Sequence, residues 1–191
     1  MSEIALPGQL RAAFLRWALV LVPGLLMLGF FSGMVAGSGP SNPWFDDLVK
    51  PAIYPPPAAF GIVWSILYVM MGLLYVMMGL AVAMIAAARR APGRGLAIAV
   101  FAVQFVVNLA WTPLFFGAHQ ITGALVLIAV LDVLVIVTIV LFRKVRPLAA
   151  WLLLPYLAWI LFASALNYEF LRANPDADGR MNSGATTRIV I

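Results

Sequence analysis

The sequence predicts an all-α membrane protein, a bundle of five transmembrane helices with a Pro-rich loop between the first and second helices. Of the 191 residues, 64% are hydrophobic and only 10% are charged. The mean hydropathy is +1.04, and most of the chain consists of five apolar runs separated by short polar segments. Soluble domains are about 50% apolar and about 25% charged. This chain has too little polar surface to cover a water-soluble globule, so its main solvent is lipid.

Five segments are long and apolar enough to cross a hydrocarbon core, which takes about 20 residues of helix. We predict spans at residues 17–36, 58–88, 96–118, 121–142 and 148–170. The second is long enough to cross at a tilt. The connections RRAPGRG, HQ and RKVRP are short, so consecutive helices are expected to be antiparallel neighbours. The spans form one domain, residues 1–173, and a polar tail, residues 174–191, is expected to be mobile.

The cationic residues orient the predicted bundle. Eight of the twelve Lys and Arg residues fall on one side of the membrane, next to the ends of spans: Arg11, Arg16, Arg89, Arg90, Arg94, Arg143, Lys144 and Arg146. The positive-inside rule then places the N-terminus inside, with the Pro-rich loop and the C-terminus outside. The first apolar run exceeds the 7–15 residues of a signal-peptide core, so we expect it to remain a span. A bacterial cytoplasmic membrane is the predicted location, and an outer membrane is the alternative.

Composition excludes several classes of site. The absence of cysteine excludes disulfides and thiolate metal sites, and a single histidine, His119, argues against a histidine metal cluster. The net charge is +5, and the Lys and Arg residues that produce it lie beside apolar segments. This distribution indicates membrane topology and not nucleic-acid binding. No nucleophile–base pair, phosphate-binding glycine loop or carboxylate pair in a plausible cleft is visible, so no catalytic residue and no metal site is predicted.

The second span contains the heptapeptide LYVMMGL twice, at residues 67–73 and 74–80. A seven-residue period keeps Gly72 and Gly79 on one stripe of the helix. Glycines at such spacing let helix backbones approach closely in lipid. We therefore expect close helix packing over both glycines.

Polar groups at membrane depth are costly, so each needs a reason. Three spans carry stripes of aromatic side chains that also include amides or hydroxyls at helical spacing. The stripes are Gln104, Asn108, Trp111 and Phe115 in the third span; Tyr156, Trp159, Ala163 and Asn167 in the fifth; and Phe60, Trp64, Tyr68, Met71 and Tyr75 in the second. Two interpretations stay open: hydrogen bonds between helices, or a pocket for a flat, mostly apolar ligand that the amides orient.

Two further features carry weaker predictions. Asp132 lies midway along the fourth span, so we expect it to be protonated, paired or turned toward a polar interior. Leu166, Tyr168 and Arg172 satisfy a loose pattern proposed for sterol contact. The alternative is a tyrosine and an arginine that simply sit at the membrane interface.

Several sequence blocks, in this order and at these spacings, resemble the TspO/MBR family of tryptophan-rich sensory proteins and translocator proteins. The resemblance extends from about Leu21 to Asn174. The blocks are Trp44-Phe45-x2-Leu48-x-Lys50-Pro51, Pro55-Pro56, Val63-Trp64, Gln104-x3-Asn108-x2-Trp111-x-Pro113-x-Phe115-Phe116-Gly117, Pro155-Tyr156-Leu157-x-Trp159 and Leu166-Asn167-Tyr168.

The resemblance implies a compact five-helix bundle, usually a homodimer, with a ligand site between the helices and the Pro-rich loop as its lid. Family ligands are porphyrins such as protoporphyrin IX and haem, sterols, and benzodiazepine-type drugs; no cofactor is obligatory. The implied ligand-binding residues are Tyr54, Pro56, Phe60, Trp64, Gln104, Asn108, Trp111, Trp159, Ala163 and Asn167, and the implied sterol-contact residues are Leu166, Tyr168 and Arg172. The chain departs from the family at Ile53, where an aromatic residue is common, and at Gly123, where mammalian relatives carry tryptophan.

Three functions follow as hypotheses. The first is a membrane receptor or transporter for tetrapyrroles, and possibly sterols, in stress or redox regulation, with Lys50 or Arg172 meeting the propionates. The alternative is an enzyme that degrades porphyrin with light and oxygen, in which Trp64 and Trp159 react or form radicals. The third is a structural bundle that recruits partners.

Overall fold

A computed structural model describes residues 7–39, 42–52, 54 and 60–179, and within that part of the chain every regular element is helical. The described residues form seven α-helices and one π-helical turn. They are α1 (Pro7–Val35), α2 (Pro43–Asp47), α3 (Phe60–Ala87), α4 (Arg94–Thr112), the π-helical turn (Pro113–Gly117), α5 (Ile121–Val145), α6 (Pro147–Leu152) and α7 (Leu154–Ala173).

Among the described residues, five helical segments are long and apolar enough to cross a membrane. They are Gly8–Val35, Ser65–Ala87, Arg94–Gly117, Ile121–Val145 and Pro147–Ala173. Helices satisfy all of their backbone hydrogen bonds internally, which a chain segment in lipid requires. The predicted fold class, an all-α bundle of five spans, is confirmed.

The most extensive packing joins α1 to α3, although the chain between these two helices is long. The first span α1 lies along α3, α4 lies against α5, and α5 also contacts α6 and α7. The helices α1 and α3 approach closely at Gly79, where a Cβ atom would lie 2.8 Å from the Cα atom of Val22. The equivalent Gly72 of the sequence repeat has no such neighbour within 4 Å. Only one of the two glycines therefore makes the predicted close contact between helices.

Prolines shape the third and fifth spans. Pro113 has no N–H group, so the carbonyl of Leu109 loses the donor it would have in a regular helix. The hydroxyl of Ser32 on α1 donates to that carbonyl at 2.7 Å. Beyond Pro113 the helix widens, and the amide of Ala118 donates to the carbonyl of Pro113 at 2.8 Å. The fifth span is divided at Leu153, where Pro155 removes another helical donor.

Candidate functional site

A cavity of about 230 Å³ lies between the helices, toward the end of the bundle that the α1–α3 connection covers. Its wall is formed by residues of α1, α3, α4, the π-helical turn, α5 and α7. Further residues come from the lid segment, which we define as residues 42–52 and 54. Most of the lining is apolar. Pockets for drug-sized ligands usually measure about 300–1,000 Å³, so this cavity is small for such a ligand.

The structure brings many of the predicted site residues to this cavity. Six residues from the predicted ligand-binding set line it: Tyr54, Asn108, Trp111, Trp159, Ala163 and Asn167. Gln104 is not among the residues that line it, and its side chain is buried. Pro56 lies outside the described residues, as do the side chains of Phe60 and Trp64.

A chain of hydrogen bonds crosses the cavity wall from α3 through α4 to α7. The hydroxyl of Tyr75 donates to Oδ1 of Asn108 at 3.0 Å, and Nδ2 of Asn108 donates to the hydroxyl of Tyr156 at 2.8 Å. The Tyr156 hydroxyl donates in turn to Oε1 of Gln104 at a long 3.5 Å. These bonds hold the Asn108 amide in one orientation. Both interpretations of the polar stripes therefore apply at Asn108, which joins helices and also lines the cavity.

Asn167 supplies the second fixed amide. Its Oδ1 accepts a hydrogen bond from Nε1 of Trp111 at 3.2 Å, and its Nδ2 donates to the carbonyl of Ile121 at 3.1 Å. The Trp111 ring also stacks on Phe115, with centroids 5.1 Å apart and planes 17° from parallel. The cavity wall at Trp111 is thus held rigidly by α4, α5 and α7.

Tyr75 and Tyr156 line the cavity but were absent from the predicted set of site residues. Both lie on the aromatic stripes that the helical spacing identified, which is the signal that could have included them. Spacing alone does not tell which member of a stripe reaches an amide on another helix. The glycines Gly29 and Gly33 of α1 also line the cavity, and a Cβ atom on Gly29 would lie 2.7 Å from Cε2 of Tyr75.

No charged side chain is among the described residues that line the cavity. The ammonium of Lys50 donates to the carbonyls of Asp46 at 2.9 Å and Leu48 at 3.0 Å, as well as to that of Phe45. Burial lowers the pKa of Lys50 below its usual range, and the nearby carboxylates of Asp46 and Asp47 oppose that shift. Lys50 therefore caps the end of α2, and the structure does not turn its charge toward the cavity.

The predicted sterol-contact residues do not form one surface. Leu166 lines the cavity, whereas the Tyr168 side chain is 51% exposed on the outside of the bundle. The guanidinium of Arg172 is exposed, pairs with Glu169 at 3.2 Å and lies 5.9 Å from the centroid of the Tyr168 ring. Tyr168 and Arg172 thus interact with each other, away from the cavity.

The lid segment is held by polar bonds at its start and by aromatic packing. Oδ1 of Asn42 caps α2 by accepting from the amide of Phe45 at 2.9 Å, while its Nδ2 donates to the carbonyls of Gly37 and Phe116 at 3.1 and 3.3 Å. The Phe45 ring contacts a cluster of aromatic rings at centroid distances of 5.2–6.4 Å: Tyr54, Phe115, Phe116 and Phe170.

Asp132 is paired, one of the three states expected for an acid at this depth. Its Oδ2 accepts a hydrogen bond from the hydroxyl of Ser164 on α7 at 2.8 Å. Its Oδ1 is buried and has no hydrogen-bond partner among the described residues. Asp132 is not part of the cavity lining, and it joins α5 to α7.

Comparison with known proteins agrees with this architecture. A sequence model of the TspO/MBR family matches residues 19–172. The tryptophan-rich protein TspO of Chlorobaculum tepidum is 33% identical over 157 residues, which are 82% of this chain and 96% of that protein. The human translocator protein is 35% identical over 147 residues, 77% of this chain and 84% of its own. The tryptophan-rich sensory protein of Cereibacter sphaeroides is 35% identical over 133 residues, covering 69% and 77% of the two chains.

The family match spans all five membrane helices and every element that lines the cavity. The relatives come from bacteria and from a mammal, so the same helical framework serves very different cells. The chain is therefore an integral, multi-pass membrane protein that belongs to the TspO/MBR family.

Proposed function

We propose that this protein is a membrane receptor or transporter that binds tetrapyrroles such as protoporphyrin IX or haem, and possibly sterols, and that acts in stress or redox regulation. Family membership and the relatives' names, which include a sensory protein and a translocator protein, support a receptor or regulatory role in the membrane. The observation that carries the proposal is the cavity itself: Trp111 and Trp159 face a void in which Asn108 and Asn167 hold fixed amides.

The lining suits a flat apolar ring better than a charged molecule. Aromatic walls supply large contact area and stacking, and the fixed amides can orient a ring edge. A carboxylate in the cavity would lack a cationic partner among the described lining residues, and an isolated buried charge is costly. We therefore place the propionates of a tetrapyrrole toward the outer end of the bundle, beyond the lid segment. Because the cavity is about 230 Å³, the lid segment must move outward for a macrocycle to enter.

The homodimer and the bacterial cytoplasmic membrane stay predictions, with an outer membrane as the alternative for the location. The distribution of Lys and Arg residues in the sequence predicts the orientation with the lid segment outside. That orientation would deliver a ligand to the cavity from the outer side of the membrane.

Trp159→Ala is expected to weaken protoporphyrin IX binding about 10-fold, because one aromatic wall of the cavity is lost. The measurement is a titration of the purified protein, followed by the absorbance shift of the porphyrin, with haem and cholesterol as further ligands. Trp151→Ala is the matched control, since Trp151 is 67% exposed on the outside of α6. Equal affinities for the two variants, or no saturable binding of any of the three ligands to the wild type, would contradict the proposal.

A further inference from the structure

Asn174, the first residue after α7, makes a two-way backbone contact with the lid segment. Its side-chain Oδ1 accepts from the amide of Val49 at 2.7 Å, and its Nδ2 donates to the carbonyl of Val49 at 3.0 Å. The same Nδ2 donates to the carbonyl of Phe170 at 3.0 Å. Asn174 is only 8% exposed, so water does not readily replace these bonds. A side-chain amide thus pairs with a lid peptide as a neighbouring strand would.

The residues that follow Asn174 are anchored as well. Oδ1 of Asp178 accepts hydrogen bonds from the amides of Ile121 at 2.6 Å and Thr122 at 3.2 Å, and so caps α5. The amide of Gly179 donates to the carbonyl of His119 at 2.9 Å. Residues 174–179 therefore run from the end of α7 to the start of α5. Asn174 is fixed by α7 before it and by the bonds of Asp178 and Gly179 after it.

Val49, whose side chain is 61% exposed, lies in the middle of the lid segment. It lies between Phe45 and Tyr54, the two lid residues that line the cavity. The start of the lid segment is tied separately, through Asn42 to Gly37 and Phe116. At Val49 the lid segment is joined to the end of α7 by the pair of bonds from Asn174. Breaking those two bonds would leave the middle of the lid segment held by the apolar packing of Phe45, Leu48 and Tyr54, while its start kept the bonds of Asn42.

We propose that Asn174 is a latch: its amide holds the lid segment shut, and release of the two Val49 bonds sets how fast a ligand enters and leaves the cavity. The latch rests on the proposed function for its ligand, because it regulates access to that same cavity. If the lid segment must open both for a ligand to enter and for it to leave, then easier opening raises the association rate and the dissociation rate together. Asn174 is accordingly a positioning residue, which acts on the ligand through the lid segment.

The first test needs no ligand. In the full-length protein in lipid nanodiscs, Asn174→Ala is expected to speed hydrogen exchange at the Val49 amide by about 10-fold or more, because that amide loses its acceptor and the Val49 carbonyl loses its donor. Asn174→Asp retains the acceptor for the Val49 amide and should give a smaller increase. Asp176→Ala, an exposed change in the same segment, is the matched control and should leave Val49 unchanged. An unchanged Val49 exchange rate in Asn174→Ala, or an equal increase in Asp176→Ala, would overturn the latch.

The second test separates the latch from the proposed ligand. Stopped-flow mixing with protoporphyrin IX is expected to show association and dissociation rates that both rise in Asn174→Ala, by similar factors, while Kd changes much less. Faster Val49 exchange with unchanged ligand rates would overturn the gating role. If the wild type binds no tetrapyrrole, the proposed function fails, and the Val49 exchange rates still decide whether Asn174 holds the lid segment.

Discussion

Ala163→Phe is expected to weaken ligand binding by about 100-fold or more, equivalent to about 2.7 kcal/mol, while the bundle stays folded. Ala163 lines the cavity from α7, beside Trp159. A benzyl group there would occupy much of a void of about 230 Å³. Because the ring enters empty space and not a filled core, its cost to stability should be below the roughly 1–3 kcal/mol of ordinary overpacking.

The measurement for Ala163→Phe is the same porphyrin titration, combined with thermal unfolding in detergent. Ala165→Phe is the matched control, because Ala165 lies on the same helix and faces outward. It should leave both affinity and unfolding temperature close to those of the wild type. Undiminished affinity in Ala163→Phe would show that the ligand binds elsewhere, for example on the outer surface near Tyr168.

Gly79→Leu is expected to destabilise the bundle by roughly 1–3 kcal/mol or more, through overpacking at the α1–α3 contact. A Cβ atom at Gly79 would meet the backbone of Val22 at 2.8 Å, and backbone cannot move aside as a flexible side chain can. The two helices would have to separate, and close packing is the main force between helices in lipid.

Gly72→Leu is the control for Gly79→Leu, because the two glycines occupy the same place in successive copies of LYVMMGL. A Cβ atom at Gly72 meets nothing within 4 Å, so that variant should unfold at nearly the wild-type denaturant concentration. Unfolding by a denaturing detergent would compare the two. Equal stability of both variants would contradict the close contact at Gly79.

The five spans could be predicted because they depend on properties that a sequence carries locally. Apolar length decides which segments cross the bilayer, and lipid leaves a helix as the simplest way to satisfy the backbone. The repeat in α3 is an example of what a local pattern does not predict, namely which of two equivalent glycines contacts another helix. Its period predicts that Gly72 and Gly79 share a stripe, but which glycine touches α1 depends on where the other helix crosses that stripe.

The cavity could be predicted in part for the same reason. Helical spacing placed Asn108, Trp111, Trp159 and Asn167 on inward faces, and the structure gathers them around one void. Spacing did not show that Gln104 lies behind Tyr156, in the core. Spacing also did not show that Lys50 caps α2. The carbonyls that accept from Lys50 are free to do so only because the short helix α2 ends there.

Asn174 was beyond prediction from local pattern. Pro175 and Gly179 beside it are typical of a mobile tail, and the sequence was interpreted in that way. Its partner Val49 is 125 residues away, and no periodicity links two groups so distant. The remainder of the predicted tail, residues 180–191, lies outside the described residues.

The hydrogen bond from Ser32 to the Leu109 carbonyl has a consequence for how the chain assembles during synthesis. Ser32 leaves the ribosome 77 residues ahead of Leu109, so the hydroxyl is already in the bilayer when the third span arrives. That span enters with one carbonyl that its own proline has left without a donor, and hydrocarbon offers none. When the third span packs against the first, the Ser32 hydroxyl supplies the missing donor to the Leu109 carbonyl. The bond therefore fixes the relative depth of two helices that line the cavity.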